Sequence, residues 1–112
     1  MERVSVGDIV FVRFPFSDLS RYKLRPALVL AIMERNDCIL CQITSKNYDN
    51  VGAVLLQQDS FLSGGLIKTS FIRPSKLFTA NTSIIEKNIA HITPDIRKQV
   101  VSEILKLLES DN

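Results

Sequence analysis

The chain has one histidine, two cysteines, no tryptophan and four glycines, and each shortage removes a class of chemistry. Acid–base cleavage by a pair of histidines is excluded, because His91 has no second imidazole to work with. It also lies far along the chain from the charged segments near the N-terminus, so it reads as structural. A hydrolytic metal centre needs convergent histidines and carboxylates, and here Asp8, Asp18, Glu34, Asp37, Asp49, Asp59 and Glu86 are scattered through turns and strand ends. Cys38 and Cys41 form a C-x-x-C, but residues three apart in a strand point to opposite faces, so the two thiols diverge and read as small buried hydrophobes. Ser63-Gly64-Gly65 is not a phosphate loop, since no Gly-Lys-Ser/Thr follows. No apolar run approaches a membrane span and the N-terminus lacks the pattern of a signal peptide, so a cytoplasmic location is expected.

Charge of one sign is also scarce. The net charge is only +2, so any nucleic-acid site has to be a local basic patch. The 112 residues, 46% hydrophobic and 23% charged, fit one soluble domain with a single linker-free body.

What is present is a series of short apolar runs rich in β-branched and aromatic residues, bounded by Gly, Pro, Asn, Asp or Ser. Strands are predicted at 8–16, 26–33, 38–44, 53–57, 66–73 and 75–78, with a strand-like return at 84–92. In the first, Ile9, Phe11 and Arg13 share one face and Val10, Val12 and Phe14 the other. Residues 59–65 read as a loop. Thr93-Pro94-Asp95 is a helix start, with a hydroxyl cap, Pro in the first turn and an acid at the positive end of the dipole. Ile96, Val100, Ile104, Leu107 and Leu108 then recur at helical spacing as a core-facing stripe. The expected fold is mostly β, a small SH3-like antiparallel barrel with a C-terminal α-helix.

Within this frame the polar loop 17–24 ends at Arg25-Pro26, and Pro26 is expected at a strand start. Arg21, Lys23 and Arg25 place three cations within five residues. If the second and third strands form a hairpin through 34–37, Arg25 sits beside Thr44 and Ser45 at one rim. A guanidinium suits a phosphate and the extra charge of a pentacoordinate transition state, while a threonine hydroxyl can donate to a phosphoryl oxygen. RNA carries its own nucleophile in the 2′-hydroxyl, so little else is required. Taken alone, Arg25 also reads as a structural strand-start arginine and Thr44 as an ordinary strand residue.

The ordered motifs decide between these. Gly7-Asp8-Ile9-Val10, Phe14-Pro15-Phe16-Ser17-Asp18-Leu19-Ser20, Arg25-Pro26-Ala27-Leu28-Val29-Leu30, Gln42-Ile43-Thr44-Ser45 and Phe71-Ile72-Arg73-Pro74 together resemble the MazF/PemK family of toxin endoribonucleases. The resemblance covers nearly the whole chain. It implies a single MazF/PemK-like domain over 1–112 that pairs as a homodimer. It further implies a metal-independent, cofactor-free, sequence-selective endoribonuclease for single-stranded RNA that inhibits growth and is restrained by a cognate antitoxin peptide. On the matching motifs, Arg25 and Thr44 are the catalytic pair, and Arg21, Lys23, Ser45 and Arg73 are RNA contacts. Two stretches depart from the family pattern: 20–24 is not glycine-rich, and Thr69-Ser70-Phe71 stands where many members carry an acid or amide. Two other classes remain open at this point. One is a non-catalytic SH3-like module that binds RNA or peptide, and the other is a gyrase-poisoning toxin of CcdB type acting through its terminal helix.

Overall fold

A computed structural model describes residues 3–15, 22–46 and 52–111, with the side chains of residues 15 and 22 left aside. In chain order the strands are β1 (Asp8–Pro15), β2 (Tyr22–Ile32), β3 (Asp37–Thr44), β4 (Val54–Leu56), β5 (Phe61–Gly64), β6 (Ser70–Asn81) and β7 (Ile85–Ile92), followed by the helix α1 (Pro94–Leu108). They form one antiparallel sheet in the order β4-β6-β3-β2-β1-β7-β5. The sheet curls into a half-barrel, and both faces of its central strands are covered.

Alternation in β1 and β3 explains the two cores. Ile9, Leu28, Cys41, Ile43 and Ile72 point to the side closed by Ile96 and Val100 of α1. Val10, Val12, Ala27, Val29, Cys38 and Leu40 point the other way, against Phe14, Phe78, Ile84 and Ile85. Phe14 and Phe78 meet edge to face, with ring centroids 5.0 Å apart. Each large aliphatic side chain so buried contributes about 1.5–3 kcal/mol. The two thiols diverge as expected, Cys38 into one core and Cys41 into the other.

Several boundaries differ from the sequence reading. The second strand begins four residues earlier than Pro26, so Lys23 and Arg25 belong to a strand rather than a loop. Pro26 is tolerated inside β2 because hydrogen-bonded pairing with β3 stops at Ala27↔Gln42, where a donor from residue 26 is no longer required. The predicted fifth and sixth strands are one strand, β6, with Pro74 inside it. Between the pairs Ile43↔Ile72 and Cys41↔Leu77, two steps on β3 face five on β6, so the proline sits in an irregularity instead of ending the strand. The segment 61–64, read as loop, forms the edge strand β5. Gly64 makes that possible: a Cβ there would lie 2.0 Å from the Ile89 carbonyl oxygen, and its φ is +66°.

The β2–β3 hairpin forms as expected. Arg35 and Asn36 turn it with φ of 61° and 64°, and the Asn81 side-chain amide ties the turn down by donating to the Arg35 carbonyl and to Asp37 Oδ1. Thr93 caps α1 by accepting from the Ile96 N–H, with Pro94 in the first turn. The core-facing stripe of α1 ends at Ile104. Leu107 and Leu108 are 48% and 70% exposed and belong to neither core. Among the described residues no helix is long and apolar enough to cross a membrane.

His91 is structural, and its partner is Asp8. Asp8 is 6% exposed, and its carboxylate accepts from the Ser5 N–H and the Asn88 amide at 2.7 Å each and lies 2.8 Å from His91 Nδ1. Gly7 is required beside it, since at φ +95° a Cβ would sit 3.0 Å from the His91 ring.

Candidate active site

At the far end of β2 from this cluster, the strand register brings together a different set of groups. Arg25 pairs across β1 with Val12, and Lys23 with Phe14. Val12 and Phe14 face the second core, so Arg25 and Lys23 project from that same side of the sheet. Carrying the β2–β3 register two residues past Ala27↔Gln42 sets Arg25 across from Thr44, one residue off the pairing expected from the hairpin's length. Cross-strand partners share a face, so the guanidinium and the hydroxyl emerge side by side. Arg25 is exposed and Thr44 half-buried.

The hydroxyl is oriented. The Lys46 N–H donates to Thr44 Oγ1 at 3.1 Å, which occupies a lone pair and leaves the hydroxyl proton to donate outward. Ser45 follows in a bend and is exposed, so it neighbours the pair without belonging to the ladder. Among the described residues no ion pair engages Arg25 or Lys23, whereas Arg13 on the other face is bound to Glu86 at 2.9 Å. Two guanidinium groups one strand apart thus have opposite fates, one neutralised and one open to an anion.

Arg73 is brought to the same side. In β6, Ser70, Ile72 and Pro74 are buried while Phe71 and Arg73 are half-buried and point the other way. The Arg73 carbonyl accepts from Cys41 Sγ at 2.8 Å, which anchors the backbone behind its side chain. Burial, opposed by that hydrogen bond and by the nearby guanidinium, pushes the Cys41 thiol up to about 12, so it is no nucleophile. Burial, with Asp37 adding, raises Cys38 as well. Arg21 lies outside the described residues.

Two residues that sequence reasoning did not place at the site are carried there by the sheet. Thr44 pairs with Phe71, and Phe71 with Leu55 of β4, so these three form one row across three strands, and extending the β2–β3 register beyond its last pair brings Arg25 into line with them. Alternation through Ser70, Phe71, Ile72 and Arg73 was the signal for Phe71, hidden because two successive residues are apolar. Among the described residues no group of three His, Cys, Asp or Glu side chains gathers to hold a metal.

Residues 5–108 match the profile of the PemK-like, MazF-like toxins of type II toxin–antitoxin systems. No curated protein sequence matches the chain. The fold is shared with the MazE–MazF complex of Deinococcus radiodurans, at TM-score 0.75 and 20% identity over 94% of this chain and 95% of that one. An endoribonuclease solved with its cognate antitoxin from a Mycobacterial species superposes at TM-score 0.71 and 14% identity, covering 96% and 95%. The Mycobacterium tuberculosis toxin MazF-mt6 superposes at 0.68 and 15%, covering 92% and 99%. With its profile matched over nearly the full length, the chain belongs to the PemK-like, MazF-like toxin family of type II toxin–antitoxin systems.

Proposed function

We propose that this toxin acts as a metal-independent, sequence-selective endoribonuclease on single-stranded RNA. The observation that carries the proposal is that the extended β2–β3 register sets Arg25, which has no ion-pair partner among the described residues, across from the oriented hydroxyl of Thr44 at one end of the sheet. A phosphodiester seated there receives forked N–H donors from Arg25 and one O–H donor from Thr44. The RNA 2′-hydroxyl attacks phosphorus as its proton leaves, the bond from phosphorus to the 5′-oxygen breaks, and that oxygen takes up a proton. The products are a 2′,3′-cyclic phosphate and a 5′-hydroxyl. Arg25 holds the negative charge that grows on the non-bridging oxygens, and a permanently charged donor in a fixed position is suited to that task.

Lys23 and Arg73 extend the cationic surface along the RNA backbone, with Ser45 and Arg21 as further contacts at its rim. The relatives solved with MazE or with a cognate antitoxin support an antitoxin peptide as partner; in this proposal the peptide covers the basic end, and the toxin acts as a homodimer in the cytoplasm. The test is incubation of the purified protein with a long unstructured RNA in EDTA, followed by mapping of fragment ends. Cyclic-phosphate ends at a recurring sequence are expected. Intact RNA, or cleavage that requires added divalent metal, overturns the proposal.

A further inference from the structure

We propose that Phe71 is a stacking platform for the base next to the scissile phosphate, and that it selects unpaired RNA over duplex; this rests on the nuclease reading of the Arg25–Thr44 end. Phe71 is half-buried and belongs to neither core, although its neighbours on β6, Ile72 and Phe78, each pack into one. Phe11 is the other described phenylalanine outside both cores. It pairs with Pro26 and Lys87 and projects from the opposite face, so it cannot share a ligand with Arg25.

Phe71 lies one strand from Thr44, and two from Arg25 when the β2–β3 register is extended, backbone separations of roughly 5 and 10 Å. Leu55, 41% exposed, continues the row and gives the ring an apolar border. A phosphate held by Arg25 and Thr44 therefore delivers a flanking base over an aromatic face. Single-stranded nucleic acids are bound by this combination, a cation for the backbone and a ring for the unstacked base. A base in a duplex cannot leave its neighbours to reach the ring, so the platform discriminates by strandedness. Stacking tolerates any base, so sequence preference arises elsewhere.

The experiment uses the full chain with a single-stranded 2′-deoxy oligonucleotide, which lacks the nucleophile, carrying 2-aminopurine at successive positions. Wild type and Phe71→Tyr are expected to quench the fluorophore at one position. Phe71→Ala and the bulk-preserving Phe71→Leu lose the quench and bind about tenfold more weakly, within a range of roughly 5- to 150-fold for one lost stack. On cleavable RNA the same variants raise KM by that factor and change kcat less than about twofold. Quench and affinity unchanged in Phe71→Leu overturn the inference, as does a fall in kcat at constant KM. If wild type quenches the oligonucleotide but leaves RNA intact, the nuclease reading falls and the platform stands; if it cuts RNA but quenches no position of the oligonucleotide, the platform falls and the nuclease reading stands.

Discussion

The two ends of the central strands handle charge in opposite ways. Near Gly7, the Asp8 carboxylate is almost sealed from water and saturated by Ser5, Asn88 and His91. At the Arg25–Thr44 end the cation stands exposed with no counter-ion among the described residues. A satisfied buried ion holds strands in register, and losing its partner is costly. An unsatisfied exposed ion adds little to the fold, and its charge is available to a ligand. With the reaction proposed at the Arg25–Thr44 end, stability and chemistry are separated along the same strands, so substitutions at the two ends should have separable effects.

The largest expected effect is on catalysis. Arg25→Ala should reduce RNA cleavage by at least about 10²–10³-fold, measured as fragment formation in EDTA, while the thermal melting point stays within a degree or two. Wild-type activity in that variant would erase the contrast between the ends. Thr44→Ala should slow cleavage roughly 10- to 100-fold, the worth of one hydrogen bond to a charged group, and Thr44→Ser should restore most of it. At the opposite end Asp8→Ala should cost about 3 kcal/mol in urea unfolding, with the activity of each folded molecule unchanged. An Asp8 variant that melts normally but fails to cut RNA would show that the ends are coupled.

The smallest effect concerns pH. Cys41 holds its proton up to about 12 in the folded chain against an ordinary value of 9.0. Its contribution to stability is complete below about 9 and is lost as the pH rises through 12, because only the unfolded thiol ionises in that window. Denaturation midpoints followed from pH 8 to 11 should therefore fall less in Cys41→Ala than in wild type. The native thiol should also react slowly with alkylating reagents.

Much of this contrast was legible in the sequence, and the exceptions have physical causes. The hairpin joining β2 and β3 was readable from two apolar runs around a polar turn. The divergence of Cys38 and Cys41 followed from the two-residue period. Pro26 and Pro74 misled in the same way, each read as a boundary although the surrounding pairing had already given up the hydrogen bond that proline lacks. β5 was hidden because Gly64 and Gly65 resemble loop glycines, and only the close approach of the Ile89 carbonyl reveals why a strand needs one of them. The Asp8–His91 partnership could not be read, since 83 residues separate the pair. Leu107 and Leu108 keep the helical period but stay exposed, since periodicity alone does not say how much of a helix is covered.

The surplus of residues on β6 opposite Gln42 has a consequence for how such a toxin can diversify. Those extra positions act as slack between the portion of β6 fixed against Leu40 and the portion that presents Phe71. Changing the length of the slack by two residues would bring a different side chain into line with Thr44 and a different one into the core position of Ile72, while β2 and β3 kept their places. A change of length at one spot would thus alter what faces Thr44 without a substitution on β2 or β3.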